Sequence, residues 1–411
     1  MILFAFFIIL VGLICDFKKT ILIFAPFKFL FINSVLLFGN VSFENAISLI
    51  IFIVFFFKYK QCCKLSRYPL KYSLILLVLS ESLAAIIGEP NYISIPLKFC
   101  RLYGFCLVFF YLLETKEDIK IVLESLSIFV IILVGNGLVE LILDMNPIGD
   151  ILASELRDDA FFIDRTDYGS RGMRVHSFLP HSICFGNVCA IFLFLYCFIK
   201  THEMENSDKL YFIILLLILG IIMANSRTPL LALMLYAIPF LFNKKMLKYR
   251  LLLIMVVIIA GPFIIDKMYN MLDSMFNPDT RQDVGGSSME MRLEQLEMSF
   301  FLIKDKLLLG NGFSFDFTIF SEMRGAESIW FNLLMYQGIF GCVAYIFMFI
   351  ESIKRALKTE VAKFLIFLCL GYLLQQSATY NAGLDDFLYY FVYLLIFRYS
   401  TITNIYKPNR L

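Results

Sequence analysis

One arginine of the sequence lies between two apolar runs that no proper loop separates. This residue, Arg227, belongs to a polar group with Asn225, Ser226 and Thr228, directly before Pro229. A charge in the hydrocarbon layer of a membrane costs roughly 2.5–3.5 kcal/mol, so a charged residue there is a functional candidate. Proline in a first helical turn leaves neighbouring amides able to face an anion, and a fixed guanidinium suits phosphate. The pattern indicates a phosphate-binding site at Ser226 and Arg227, or else a snorkelling arginine in a tight turn.

Further arginines lie in a long polar segment, 144–176, which contains four of them and no lysine. An arginine-only basic set favours bidentate contacts with oxyanions, although a solvated, salt-bridged loop is the alternative. Arg171 and Arg174 of this set are candidate substrate-binding residues. Arg101, near the end of an apolar run, is another candidate, and snorkelling is again the alternative.

Two acids and two histidines complete the ionisable residues that the sequence singles out. Glu81 and Glu140 lie in the middle of apolar runs, and three roles are open to each. Each is a protonated packing residue, a hydrogen-bond partner of an arginine, or part of an ion path. His176 and His181 lack the helical spacing of metal ligands, so no metal site is predicted.

The elements that position these residues are predicted to be membrane-spanning helices. Of the 411 residues, 60% are apolar and 17% are charged, and the mean hydropathy is +0.79. Soluble proteins carry about a quarter of charged residues, so the composition predicts an all-α integral membrane protein. The net charge of +2 gives no indication of a nucleic-acid partner.

Apolar runs near 20 residues predict about twelve transmembrane helices, with a range of 11–13 because some runs are short. Together they form one polytopic membrane domain over residues 1–411. The candidate spans are 1–15, 20–38, 43–57, 71–87, 93–113, 121–143, 177–199, 209–225, 227–243, 249–266, 326–350, 361–377 and 385–400.

Basic residues in three short connections give the predicted orientation. The connections 58–71, 244–250 and 351–363 are rich in lysine and arginine and fall on one side, which should be the cytoplasm. The acid-rich segments 144–176 and 267–325 then form a first external loop and a second, larger one.

The second external loop should contain an amphipathic helix over about 288–309. Ser287 and Glu290 have the spacing of a capping box, and apolar residues then recur three and four apart. The sequence Gly310-Asn311-Gly312 predicts the end of this helix. Arg292 lies on its polar side, so it is a further candidate for binding an anion.

Three stretches together resemble the O-antigen ligase and polymerase superfamily of bacterial envelope glycan assembly. The first is 174–186, with Ser177 where the family usually has glycine. The second is 225–233, which begins Asn-Ser-Arg-Thr-Pro. The third is 287–341, which includes Leu309-Gly310-Asn311-Gly312. Their order and spacing make the combination more specific than any one of them.

The resemblance implies a metal-independent, inverting glycosyl transfer that needs no cofactor. The donor would be an oligosaccharide linked to undecaprenyl diphosphate, and the acceptor a sugar hydroxyl of a second lipid-linked glycan. Arg227 and Arg292 would stabilise the departing diphosphate, and Glu327 would be the general base. Arg171 and Arg174 would bind the second glycan. For Glu327, a structural acid at a helix N-terminus is the alternative.

Ligases of the superfamily usually carry His-Asn where this chain has Glu327-Ser328, and this departure favours a polymerase of repeat units. The expected product is O-antigen, capsule or exopolysaccharide, and the expected location is the bacterial inner membrane. A chain-length regulator and a flippase are expected partners. A ligase is the closer alternative. A polysaccharide flippase or other transporter is the alternative of another class, although the sequence shows no internal repeat.

Overall fold

A computed structural model of the protein describes residues 2–30, 36–38, 41–59, 65–88, 94–153, 174–202, 208–241, 289–320, 323, 328–379 and 386–405. The predicted span 249–266 and the candidate residues Arg171 and Glu327 lie outside these ranges. Within them the architecture is helical apart from one short hairpin, which confirms a helical membrane protein.

Five of the described helical segments are long and apolar enough to cross a membrane, namely Lys71–Gly88, Ile95–Leu112, Lys116–Leu143, Ser182–Thr201 and Ile329–Ala356. Shorter apolar helices are Leu3–Cys15, Lys209–Ala224, Arg227–Leu241, Ala362–Ala378 and Phe387–Thr403. The count of about twelve spans stays a prediction. In chain order the helices are α1 (Ile2–Cys15), α2 (Phe17–Phe27), α3 (Phe43–Tyr59), α4 (Lys71–Gly88), α5 (Ser94–Phe99), a π-helical turn (Cys100–Gly104), α6 (Phe105–Leu112), α7 (Lys116–Leu143), α8 (Pro147–Ala153), α9 (Ser182–Thr201), α10 (Asp208–Ala224), α11 (Arg227–Leu241), α12 (Met289–Ile303), α13 (Ile329–Ala356), α14 (Ala362–Ala378) and α15 (Phe387–Ile405), with 3-10 turns at Lys28–Leu30, Leu65–Arg67, Lys304–Lys306 and Phe317–Ile319.

Helix α9 lies in the middle of the bundle. Nearly all of its residues are buried, and it packs against α10, α11, α14 and α15. A helix that is apolar all round belongs in such a position. Around this centre, α7 packs on α2 and α10, while α13 packs on α4, α12 and α14.

The structure corrects the prediction of a span over 20–38. Helix α2 ends early, and a short antiparallel hairpin follows, in which β1 (Leu36–Phe38) pairs with β2 (Val41–Ser42). Lys28, directly after α2, lies in a 3-10 turn, and its buried ammonium forms an ion pair with Glu44 at the start of α3. A buried charge needs a partner of opposite sign, and this turn brings Lys28 to that partner. The hairpin has only five residues, and the predicted all-α class is confirmed.

Helix α12 is shorter than the predicted 288–309, because it gives way to a 3-10 turn after 15 residues. Gln295 and Ser299 of this helix are buried. Leu293 and Leu296 are exposed, and so are Glu294 and Glu297 beside them. The exposed face is therefore mixed in polarity.

A glycine-rich loop, residues 310–312, forms backbone hydrogen bonds to a break in helix α13. The helix is interrupted at Gly338, whose φ is +63°. Asn311 N donates to Met335 O at 2.8 Å and Gly312 N donates to Tyr336 O at 3.1 Å. The loop therefore supplies hydrogen bonds that the broken helix cannot make itself. From the sequence this motif was expected only to end the preceding helix.

Replacement of Gly312 by alanine should destabilise the protein. The residue has φ +84°, and a Cβ there would lie 2.3 Å from Gly88 N. The left-handed backbone alone costs about 1–2 kcal/mol for an alanine, and the backbone clash adds to it. We expect Gly312→Ala to lower the temperature at which the detergent-solubilised protein loses its size-exclusion peak. In Gly135→Ala, where a Cβ meets nothing within 4 Å, that temperature should stay or rise. An equal drop of this temperature in both variants would contradict the close packing of the loop against the end of α4.

Candidate functional site

A segment that we call the strap, Arg174–His181, leads into α9 and crosses the end of α10. Val175 N donates to Met223 O at 3.2 Å, which ties the strap to the last turn of α10. Val175, Phe178 and Leu179 are buried, whereas Arg174 is half-buried. The strap thereby places Arg174 beside the junction of α10 and α11.

Glu140, near the end of α7, anchors the strap. Its Oε2 accepts a hydrogen bond from Ser177 N at 2.7 Å, and its Oε1 accepts one from His176 N at 3.2 Å. The His176 ring also lies close, with Nε2 at 3.5 Å from Oε1. Glu140 is only 6% exposed, so these donors replace the water that an ionised carboxylate requires. The sequence left the role of Glu140 open, and the structure assigns it to holding the strap.

Ser177 adopts a backbone conformation that favours glycine, the residue that the family pattern has at this position. Its φ is +57°. The side chain offsets the strain, because Oγ donates to Leu133 O at 2.8 Å and accepts from Asn136 Nδ2 at 3.2 Å. Asn146 donates to the Ser177 carbonyl as well, and Asn136 Nδ2 donates to Asn146 Oδ1 at 2.8 Å. The strap is therefore fixed to α7 through both backbone and side chain.

Arg227 is the first residue of α11, and its immediate neighbours are closely packed. Helix α10 ends before Asn225, which has φ +46°, and Ser226 is only 3% exposed. Gly186 of α9 allows a close approach, since a Cβ there would lie 2.5 Å from Pro229 Cγ. The polar group predicted from sequence therefore forms a rigid junction between α10 and α11.

Arg292 reaches from α12 to the end of α14. One of its Nη atoms donates to Ala378 O at 2.9 Å. Beside this contact, the hydroxyls of Thr228 and Thr379 lie 3.3 Å apart and join the start of α11 to the same helix end. The last turn of α14 therefore brings α11 and α12 together.

Three arginines of the site interact electrostatically. The charges of Arg174 and Arg292 both repel that of Arg227. All three side chains are half-buried, so water screens this repulsion only in part. Repulsion between like charges raises the free energy of the unliganded protein. A multivalent anion relieves this repulsion, because each guanidinium can bind oxyanions bidentately. The arrangement fits a ligand with two or more negative charges, such as a diphosphate.

Arg101 belongs to a different ion cluster. It lies in the π-helical turn, and its Nε is 3.9 Å from Glu44 Oε2, while Lys28 also pairs with Glu44. All three residues are buried. This cluster ties α2 and α3 to the π-helical turn, and the predicted binding role of Arg101 stays a prediction.

The structure thus brings together four of the predicted site residues, which are Arg174, Ser226, Arg227 and Arg292. The roles of Arg171 and Glu327, outside the described ranges, stay predictions. Among the described residues, no three His, Cys, Asp or Glu side chains are grouped so that they hold a metal ion. Metal independence likewise stays a prediction.

Sequence reasoning missed several residues that build the site. Asn136 and Asn146 connect the strap to α7, and a polar residue within an apolar run was a signal for the first of them. Ala378 carries no signal, because it contributes a backbone carbonyl. Contacts of this kind depend on helix packing and not on residue type.

Comparison with known protein families finds a match over the part of the chain that includes α11, α12 and the start of α13. Residues 212–346 match the family model described as O-antigen ligase. The match confirms the resemblance to the O-antigen ligase and polymerase superfamily. It spans 135 of the 411 residues (212 through 346) and contains Arg227 and Arg292 but not Arg174. A search of curated proteins finds no significant match.

The strap should loosen when Glu140 loses its charge. In Glu140→Gln the side chain presents an amide group where two backbone amides now donate, so one donor is left without its acceptor. We expect a loss of about 1.5–3 kcal/mol, the range for hydrogen bonds to charged groups, seen as a lower unfolding temperature in detergent. Glu124→Gln, at an exposed position of the same helix, is the matched control and should change little. Equal unfolding temperatures for the two variants would contradict the anchoring role.

Proposed function

We propose, from the match of residues 212–346 to the O-antigen ligase family, that this membrane protein polymerises lipid-linked oligosaccharide repeat units. It transfers the growing glycan from an undecaprenyl-diphosphate donor to a sugar hydroxyl of a lipid-linked acceptor. The observation that carries the proposal is the grouping of Arg174, Arg227 and Arg292 at one end of the bundle. A diphosphate at the membrane surface is the ligand that such a group suits.

The reaction requires charge stabilisation at the leaving group. The bond between the anomeric carbon and the diphosphate oxygen breaks, and its electron pair stays on that oxygen. The acceptor hydroxyl attacks from the opposite face, so the anomeric configuration inverts, and its proton passes to a base. Arg227 and Arg292 stabilise the transition state, with its developing negative charge, more than they stabilise the bound donor. This difference is what accelerates a reaction. Glu327 is the base that the sequence proposes.

The location of the reaction follows from the basic connections of the sequence. They support a location of the arginine group on the outer side of a bacterial inner membrane, away from the cytoplasm. There a lipid diphosphate lies at headgroup depth, where a half-buried guanidinium keeps part of its hydration. A flippase that supplies the lipid-linked units and a regulator of chain length are the partners expected for such a polymerase.

A ligase is the second candidate, because the matching family model is described as O-antigen ligase. It would use the same arginines for the same leaving group and differ in its acceptor. Glu327-Ser328 stands where ligases of the superfamily usually have His-Asn, and this departure favours the polymerase.

Replacement of either central arginine should abolish long-chain polysaccharide. Each oxyanion-binding group contributes roughly 100- to 1,000-fold to the rate of such a reaction. We expect Arg227→Ala and Arg292→Ala cells, at equal amounts of inserted protein, to give only short products on gels of surface polysaccharide. Arg355→Ala is the matched control, because Arg355 lies near the other end of α13, 3.9 Å from Glu351. Full chain length in either test variant, or cytoplasmic labelling of cysteines placed beside these arginines, would refute the site.

Deletion of the whole protein distinguishes the candidate functions by what accumulates. A polymerase should leave single repeat units transferred to the final acceptor, since their export and ligation continue. Loss of a ligase would instead build up free polymer on its lipid. Repeat units stranded inside the cell would indicate a flippase. Mass spectrometry of the lipid-linked and transferred glycans makes this measurement.

A further inference from the structure

A cavity of about 140 Å³, with a mixed polar and apolar lining, lies between α4, α5, α13 and the start of α15. Three of its lining residues carry charge: Glu81, Lys98 and Asp386. A single water needs about 10–15 Å³ on this measure, so the cavity has room for about ten waters. It is therefore far larger than the site of a bare ion and of a size to take a sugar ring.

Tyrosine hydroxyls hold both carboxylates of the cavity in place. Asp386 Oδ1 accepts hydrogen bonds from Tyr345 at 2.9 Å and from Tyr372 at 3.2 Å. Glu81 Oε1 accepts one from Tyr103 at 2.9 Å and lies 3.3 Å from Lys98 Nζ. Carboxylates fixed in this way are preorganised acceptors, so binding of a ligand costs little side-chain entropy.

Aromatic and amide side chains form another part of the cavity wall. Phe313 and Tyr336 line the cavity, with ring centroids 5.6 Å apart, and Lys98 Nζ lies 4.7 Å from the Phe313 centroid. Asn332 adds an amide group, whose Nδ2 also donates to Ser328 O at 3.4 Å. Apolar faces with a few convergent polar groups are what small-molecule sites share, and sugars present the complementary pattern of apolar C–H faces and hydroxyls.

The cavity lies close to the end of the bundle that holds the arginines. Glu81 precedes the end of α4 at Gly88 by about 10 Å along the helix axis, at 1.5 Å per residue. Trp330, one residue from the lining residue Ile329, donates from Nε1 to Ser377 Oγ at 2.9 Å. Ser377 in turn adjoins the carbonyl that Arg292 contacts. The two regions therefore share the first turn of α13 and the last turn of α14.

The two regions differ in the ionisable groups that their described residues contribute. The cavity contributes two carboxylates and one ammonium, while the neighbouring region contributes three guanidinium groups. A diphosphate is repelled from the cavity and attracted to the arginines. A neutral, hydroxyl-rich group is attracted to fixed carboxylates without that penalty.

We propose that this cavity binds the sugar hydroxyls of the acceptor glycan, with Asp386 and Glu81 as the hydrogen-bond acceptors. The assignment rests on the proposed glycosyl transfer. It adds an acceptor site, built from α4, α13 and α15, to the donor site at the arginines. Binding there presents the acceptor end of the glycan towards the start of α13, next to the donor site.

The test separates donor from acceptor. Lipid-linked single repeat units, extracted from cells that lack the protein, serve as donor for the reconstituted full-length chain. The same oligosaccharide, released from its lipid by mild acid, is the variable acceptor. Asp386→Asn keeps an oxygen for both tyrosines but removes the charge, as Glu81→Gln does for Tyr103. Glu351→Gln is the matched control, because this buried acid accepts from Ser73 N at 2.7 Å near the other end of α13.

We expect both test variants to raise the acceptor concentration for half-maximal transfer about 10-fold or more, as loss of a charged hydrogen bond implies. The donor concentration for half-maximal transfer should stay unchanged in both test variants. The control, Glu351→Gln, should change neither the donor nor the acceptor concentration for half-maximal transfer. An unchanged acceptor dependence, a change in maximal rate alone, or a shift in donor dependence would overturn the acceptor site. Failure of the wild-type protein to transfer at all would instead overturn the proposed function.

A binding measurement without catalysis provides a second readout. Trp330 is the one tryptophan of the chain, and its ring centroid lies 5.9 Å from that of Tyr345 in the cavity wall. The released oligosaccharide should change its fluorescence in the wild-type protein and, at the same concentration, not in Asp386→Asn. Inorganic pyrophosphate should give equal signals in both proteins. Equal oligosaccharide titrations in the two would overturn the proposal even if the variant is inactive.

Discussion

The carboxylate of Glu140 is the group on which the arrangement of the arginine site depends. It accepts from two consecutive backbone amides of the strap, and one of these belongs to Ser177, with its left-handed backbone. A buried carboxylate and a strained backbone are each unfavourable alone, and here each provides what the other lacks. Arg174 precedes this anchor by two residues. Its place beside Arg227 is therefore set from α7, a helix that carries none of the three arginines.

A second constraint is the break in α13. Because the helix is interrupted at Gly338, its first turns are free to take a separate course from the rest. The loop at Asn311 and Gly312 fixes that course through backbone hydrogen bonds, and it also packs against the end of α4 at Gly88. One backbone junction thus sets three things: the position of α12 with Arg292, the first turn of α13, and the cavity wall at Tyr336.

The sequence predicted most helices well because lipid forces apolar segments to satisfy their own backbone hydrogen bonds. It failed at 20–38, where hydropathy averages over Lys28 and cannot register that Glu44 lies opposite it in the fold. In the site, Arg227 was identifiable because a charge between two apolar runs is a local signal, and Arg292 because it lies on the polar side of a helix with a clear apolar period. The roles of Glu140, Ala378 and Asp386 depend on contacts between distant segments, and no periodicity or motif encodes such contacts.

For the proposed polymerase, the two neighbouring sites would have to tell donor from acceptor. Donor and acceptor are then copies of one kind of molecule, with a diphosphate at one end and sugar hydroxyls at the other, so shape alone cannot sort them. Under the two proposals, three arginines would select the charged end, and a cavity with Asp386 and Glu81 would disfavour it. Each copy would then be held by a different end. The two regions adjoin at the first turn of α13, where Trp330 connects the cavity wall to the end of α14.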